Sequence, residues 1–410
     1  MYKRNCYSLI EEALKDTPAV LVCGARQVGK STIIKEVISH NKDYNYFTMD
    51  EPSNLAAASK SPASFLSGIN GKIVIDEIQR VPELFLVIKQ MIDENREPGK
   101  FILTGSANIL TLPKLSDSLA GRMEIINMFP LSQGEIHNVK DDFIDKSFNC
   151  EIFSNNYECD YADIIENIIN GGYPEVLSRV SIKRKSAWFS SYITALLQRD
   201  IRDLSAIEGL RELPVLLSLL ATRAGHLSNL SELSRIAKIP GTTLKRYVAL
   251  LEAIFLITHI PSWYVNQEKR VVKTPKLYFN DTGLLCHLFG VESRKLLSDR
   301  NFTGSILENF VLMELVKQKG WSNRQVSIYH YRTHTGYEVD IVLEASNGDI
   351  VGIEVKSHEE AIGKDFNGLR ALKETAGLNF KAGYVLYTGK KKIQFDEMLI
   401  ALPISAIWNK

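Results

Sequence analysis

The chemistry-bearing residues begin at Gly24. The octapeptide from Gly24 to Ser31, GARQVGKS, has the spacing GxxxxGK[ST]. Glycines let a backbone wrap an anion with its N–H groups, a lysine closing such a loop reaches terminal phosphates, and the neighbouring hydroxyl can ligate Mg²⁺. Gly24, Ala25, Arg26, Gln27, Val28, Gly29, Lys30, Ser31 and Thr32 are therefore the candidate residues for binding the phosphates of a nucleotide such as ATP. This chemistry needs a strand before the loop and a helix after it. The apolar run AVLVC at 19–23 and the segment TIIKEVI at 32–38 fit those two roles, and the helix N-terminus adds a dipole favourable to phosphate.

A nucleotide-bound Mg²⁺ needs a carboxylate as well. KIVIDE at 72–77 is an apolar run ending in two acids, the pattern of a strand buried on both faces that delivers Asp76 at its C-terminal end. Asp76 is the candidate metal ligand, and Glu77 the candidate that polarises an attacking water. FILTGS at 101–106 ends in hydroxyls and resembles the sensor strand of AAA+ ATPases. Ser106 is the first candidate for that role and Thr104 the alternative, a plain helix cap being the other reading. Arg122 precedes a fifth apolar strand, where AAA+ proteins often carry an arginine finger; an ordinary surface ion pair is the competing reading.

A second constellation lies near the C-terminus. Asp340 in YEVDIVL is followed, after an NGD turn at 347–349, by IEVK at 353–356. Alternation puts Glu354 and Lys356 on one face of their strand, and the turn lets that strand pair with the one carrying Asp340. Two carboxylates and a lysine could then converge on a divalent metal and a water. The pattern resembles the D…ExK signature of the PD-(D/E)XK nuclease fold, in which Glu308 on the preceding helix would complete the outer coordination. Asp340 and Glu354 would be the metal ligands. Val339 stands where the family name has proline, and a salt-bridged relic of that fold is the alternative.

The elements that must position these groups divide the chain into four blocks. Residues 1–135 alternate strands and helices, implying a parallel α/β sheet with strands at 19–23, 46–49, 73–76, 101–104 and 125–128. Residues 136–225 form a helical linker or lid region. Residues 226–299 give a helix, a break at Pro240–Gly241, a second helix capped by Thr242 or Thr243, and strand segments. That order resembles a winged helix-turn-helix, with Lys245 and Arg246 on the second helix and Lys269, Arg270, Lys273 and Lys276 beyond it. Such modules contact DNA or merely pack as lids. Residues 300–410 return to a mixed helix and strand pattern, with strands at 339–343, 350–356 and 382–387.

Composition sets the outer bounds. The 410 residues are 45% hydrophobic and 24% charged with a net charge of +1, which excludes a disordered chain and a globally basic nucleic-acid binder. Charge is local instead. Residues 136–175 hold nine acids against Lys140 and Lys146, whereas 226–276 hold eight Lys/Arg against Glu232, Glu252 and Glu268. The C-terminal block is close to neutral, which does not favour strong DNA binding. Five scattered cysteines without a CxxC pair, no signal-peptide pattern and no apolar run long enough to span a bilayer point to a cytoplasmic protein.

Taken together, GARQVGKST, KIVIDEIQ, FILTGSAN, SLAGRMEIINMFPLSQGE and GGYPE, with later matches at 233–252, 278–285 and 304–310, resemble the bacterial and archaeal AAA-type ATP-binding proteins that carry a C-terminal domain of unknown function. The resemblance implies an AAA+ P-loop NTPase domain, followed here by a helical, winged-helix module and a restriction-endonuclease-like α/β domain. The activity it implies is Mg²⁺-dependent ATP hydrolysis and it says little about a client; the winged-helix and nuclease-like patterns make DNA the candidate partner of the later domains, and Arg122 acting in trans would need a homo-oligomer. The alternative is a slowly hydrolysing, nucleotide-gated switch or scaffold whose nuclease-like domain is inactive.

Overall fold

The structure is a computed structural model that describes residues 2–39, 43–107, 121–139, 141–149, 153–154, 157–201 and 212–408. Leu119 and Ala120, which belong to the motif leading into Arg122, lie outside the described residues, as do Lys140 and Cys150.

The first unit is a five-stranded sheet. Strands β1 (Ala19–Cys23), β2 (Tyr44–Thr48), β3 (Lys72–Asp76), β4 (Phe101–Gly105) and β5 (Met123–Asn127) lie in the order β2-β3-β4-β1-β5. All four pairings are parallel. Strands β1 and β4 are buried along their whole length, and so is β3 beyond Lys72, as continuous apolar runs between two helical layers should be. The order has a direct consequence. Strand β4 lies between β1 and β3, so the C-terminal ends of all three meet at one edge of the sheet.

The expected strands are present with shifted bounds. Strand β2 begins at Tyr44 and ends at Thr48 rather than running 46–49, and β5 runs Met123–Asn127 rather than 125–128. Both flank the central strands and expose more residues, so their apolar pattern marks their ends less sharply than those of β1, β3 and β4.

The middle region is mostly helical. Its longer helices are α1 (Tyr161–Asn170), α2 (Ile182–Ala195), α3 (Leu213–Ala221), α4 (Leu230–Ala237) and α5 (Gly241–Ala253). The antiparallel pair β6 (Ile257–Ile260) and β7 (Lys276–Phe279) follows, then α6 (Thr282–Phe289). Helix α5 starts two or three residues earlier than expected. Pro240 occupies the N-cap position and its carbonyl accepts from Leu244 N at 2.9 Å, so Thr242 and Thr243 fall inside the first turn instead of capping it. Proline's fixed φ already suits that position. No helix among the described residues is long and apolar enough to cross a membrane.

The third unit is built around α7 (Arg300–Gln318) and a mixed six-stranded sheet, order β12-β13-β11-β10-β9-β8. Its strands are β8 (Val326–Arg332), β9 (Glu338–Ala345), β10 (Ile350–Lys356), β11 (Phe380–Tyr387), β12 (Ile393–Asp396) and β13 (Leu399–Pro403). The expected hairpin between β9 and β10 forms, with Ile353 opposite Ile341.

Helix α7 is buried on most of its surface and carries buried polar residues towards both neighbours. Asn309 acts like a strand partner. Its Oδ1 accepts from Phe279 N and its Nδ2 donates to Phe279 O, both at 2.8 Å. These two bonds fix β7 against the helix. Asn309→Leu would leave both groups of Phe279 buried and unpaired, a cost of about 2–5 kcal/mol. Chemical denaturation should show that loss as a lowered midpoint.

Candidate functional site

The loop from Gly24 to Ser31 follows the interior strand β1 directly. Gly24 has no room for a side chain, because a Cβ there would collide with the carbonyl of Met128, and Gly29 sits at φ +102, a conformation glycine adopts without strain. Lys30, at the N-terminus of the helix Lys30–Ser39, folds back over the loop. Its Nζ donates to Gly24 O at 2.9 Å and Ala25 O at 3.0 Å.

Asp76 is where the three strand ends meet. Ser31 Oγ lies 3.0 Å from both carboxylate oxygens, Tyr46 OH donates to Oδ2 at 2.7 Å, and Thr104 Oγ1 donates to Oδ1. The carboxylate is only 6% exposed, so these hydroxyls supply what water would otherwise give. Burial, then Asp76 itself, pushes the Tyr46 phenol well up, which keeps it a donor. A hydroxyl and a carboxylate in contact form a hard oxygen donor pair that fits Mg²⁺.

Glu77 adopts a left-handed backbone, φ 59 and ψ 45, and its N–H donates to Thr104 Oγ1 at 3.1 Å. Gln79 Nε2 donates to the Glu77 carboxylate and to Ser106 Oγ, the latter at 2.9 Å. The two hydroxyls weighed for the sensor position thus make different contacts. Thr104 touches Asp76 and the Glu77 backbone, whereas Ser106 reaches Glu77 only through Gln79. Tyr46 and Gln79 went unrecognised in the sequence: a tyrosine on a flanking strand and a glutamine two residues past an acid carry no spacing signal.

Arg122 lies at the start of β5, and its backbone carbonyl accepts from Ala19 N at the start of β1. It is therefore at the opposite end of the parallel sheet from the loop from Gly24 to Ser31, about 17 Å away for a five-residue strand. Its Nε lies 2.6 Å from Asp93 Oδ1.

The C-terminal residues do converge. Lys356 Nζ lies 2.6 Å from Glu354 Oε1, Asp340 N donates to Glu354 Oε2 at 3.4 Å, and Val355 N donates to Asp340 Oδ2 at 2.9 Å. Into this cluster β7 inserts Lys276, 4% exposed, with Nζ 2.9 Å from Glu308 Oε1 and 3.7 Å from Asp340 Oδ1. Tyr278 OH donates to the same Glu308 oxygen at 2.5 Å. Among the described residues, no group of three or more His, Cys, Asp and Glu side chains could hold a metal ion. Asp340, Glu354 and Lys356 are brought together as expected, and Glu308 meets them through Lys276. The Lys276 ammonium stands beside Glu308 and Asp340.

The same contacts correct the expected basic face. Lys276 is turned inward, and Arg270 pairs with Glu344 while stacking over Trp263 and Tyr329. Lys245, Arg246, Lys269 and Lys273 remain on the surface.

Electrostatics at the cluster follow from one buried ammonium among several acids. Burial pushes Glu308 up to about 7, Asp340 adds to the rise, and Lys276 only partly offsets it. Burial, then Asp340, also raises Glu354. For Lys276, burial favours the neutral amine, but Glu308 and Asp340 outweigh it and hold the ammonium charged.

Comparison with known proteins adds the following. Residues 16–137 match an AAA domain, residues 161–295 a domain of unknown function (DUF8612), and residues 303–407 another domain of unknown function (DUF4143). Uncharacterized protein Rv2008c of Mycobacterium tuberculosis and uncharacterized protein Mb2031c of Mycobacterium bovis are each 28% identical over 409 residues, covering 99% of this chain and 84% of theirs. Among solved structures, the Walker-type ATPase of Pyrococcus abyssi is similar with a TM-score of 0.46 and 17% identity, covering 70% of this chain and 96% of that one. The chain carries an AAA domain, which implies nucleotide binding with Mg²⁺ as its usual companion.

The acid cluster yields a pH prediction. Glu308 binds its proton more tightly in the folded chain than in the unfolded one, where a glutamate titrates near ~4.3. Its contribution therefore favours folding at low pH and is lost as pH rises from about 4.5 through about 7. Lys276→Met removes the ammonium that limits this loss. Thermal melts of the variant should fall further below the parent at pH 8 than at pH 5; equal deficits at both would contradict the assignment.

Proposed function

We propose that this protein is a Mg²⁺-dependent ATPase of the AAA type, with its nucleotide at the C-terminal ends of β1, β3 and β4. The observation that carries the reading is Ser31 in contact with both oxygens of Asp76, directly beside the loop from Gly24 to Lys30. Loop N–H groups and Lys30 bind the phosphates, with Thr32 in the first turn of the following helix. Ser31 and Asp76 would hold Mg²⁺, whose positive charge neutralises the phosphate oxygens when it is bound.

Glu77 orients and polarises the attacking water, and Gln79 fixes the direction of its carboxylate. Thr104 keeps Asp76 and the Glu77 backbone in register, while Ser106 anchors Gln79. The position of Arg122 supports action in trans, in a homo-oligomer, over action on its own loop. The later half is the effector. Its helix, helix and two-strand order is consistent with a winged-helix module, and exposed Lys245, Arg246, Lys269 and Lys273 are the candidate contacts to DNA.

A second reading has a specific observation in its favour. Lys276 beside Glu308 and Asp340 supports a nuclease-like domain that is inactive, so that ATP gates a switch or scaffold rather than a cutting enzyme.

Multiple-turnover ATP hydrolysis with Mg²⁺, with and without single-stranded and duplex DNA, tests both readings. Lys30→Ala should lose phosphate affinity. Glu77→Gln should keep nucleotide binding while turnover falls on the order of 10²-fold or more. Lys30→Ala that binds and hydrolyses like the parent would sink the ATPase reading. DNA-stimulated turnover that disappears in Lys245→Glu/Arg246→Glu supports the DNA-contacting effector. Turnover indifferent to DNA, with no Mg²⁺- or Mn²⁺-dependent nicking, favours the switch.

A further inference from the structure

A loop that offers its N–H groups to an anion must turn carbonyls the other way, and buried carbonyls need donors. Around this loop the donors can be named. Lys30 takes the carbonyls of Gly24 and Ala25, and Ile33 N donates to Gly29 O at 3.0 Å. Two more, to Arg26 and Val28, come from outside the span matched by the AAA domain. Tyr192 OH, on α2, donates to Arg26 O at 3.2 Å, and Arg4 Nη1 donates to Val28 O at 3.1 Å.

We propose that Arg4 and Tyr192 are positioning residues of the nucleotide site, holding its loop in the phosphate-binding shape from the N-terminal segment and from the middle region. The inference rests on the reading of residues 24–31 as the nucleotide loop.

Arg4 is built for this role. Besides Val28 it donates from Nη2 to Phe129 O at 2.6 Å, and its Nε lies 3.2 Å from Glu135 Oε1. One planar guanidinium thus ties the loop after β1 to the chain leaving β5. Glu135 is locked in turn, since its Oε1 accepts from Asn5 N at 2.8 Å and its Oε2 from Ser132 N at 3.0 Å. A lysine keeps the charge opposite Glu135 but cannot reproduce the planar fork.

Tyr192 is equally constrained. Its single proton lies on Arg26 O, so in the 2.9 Å contact with Tyr173 OH it is Tyr173 that donates. Trp188 stacks on the Tyr192 ring at 4.8 Å and 9° and fixes its direction. Tyr173 follows Gly172, whose N–H donates to Asp281 Oδ2 at 2.7 Å and whose carbonyl accepts from Leu131 N at 2.8 Å. The shape of the loop therefore depends on how the middle region packs.

The test uses the full chain, titrated with a fluorescent ATP analogue and Mg²⁺, alongside thermal melts with and without ATP. The variants are Tyr192→Phe, which removes one hydroxyl, and Arg4→Lys, which keeps the charge. Tyr384→Phe serves as a control, because its buried hydroxyl donates to Ser147 O, away from the loop. Tyr192→Phe and Arg4→Lys should each weaken nucleotide binding about three- to thirty-fold and shrink the ATP-induced rise in melting temperature. Tyr384→Phe should lower the melting temperature while binding nucleotide like the parent. Parent-like affinity in both loop variants, whether or not they melt earlier, overturns the proposal. A parent chain that does not bind ATP, or a Lys30→Ala variant that binds it equally well, overturns the nucleotide reading instead.

Discussion

A carboxylate taken out of water must have its oxygens saturated by the protein, and Asp76 sets that condition for the first unit. Ser31 comes from the helix after β1, Tyr46 from β2 and Thr104 from β4, while Asp76 itself ends β3. Four successive elements of the sheet each contribute one group to a single point. The strand order β2-β3-β4-β1 makes this possible, because it sets β2 and β4 on either side of β3 with β1 next beyond β4. Removing one donor would leave part of a buried charge unsatisfied, at a cost of roughly 1–3 kcal/mol. The same groups that stabilise the carboxylate hold it against Ser31, so stability and the geometry of the Ser31–Asp76 pair have one cause.

The second organising feature is α7. A helix buried on most of its surface can carry polar side chains only where each meets a partner. Glu308 meets Lys276 and Tyr278, Asn309 meets the backbone of Phe279, and Glu314 accepts from Gln133 N at 2.7 Å while pairing with Lys317. Lys317 also donates to Leu131 O. One helix thus engages the two-stranded pair of the middle region and the segment that follows β5. Its ion pairs are buried, so mispacking on either side would strand a charge. That requirement favours one relative arrangement of the segments over many merely apolar ones, at the cost of desolvating several charged groups.

Much of this was legible in the sequence, for identifiable reasons. The loop from Gly24 to Ser31, the strands β1, β3, β4 and β10, and the hairpin bringing Asp340 to Glu354 all rest on local chemistry: glycine at special backbone positions, continuous apolar runs, alternation and a turn. Local rules determine such features because the interactions that enforce them span a few residues. The identity of the third group at Asp76, the place of Arg122 at the far end of the sheet and the presence of Lys276 among the carboxylates were decided only by the tertiary structure. Lys276 and Glu308 are 32 residues apart and meet at 2.9 Å; Arg4 and Glu135 meet across the first unit. An acid, a turn and an ExK run look the same in sequence whether a metal ion or a lysine faces them. The counter-charge of a buried carboxylate is set by whatever strand packs over it, and that packing is a property of the whole chain.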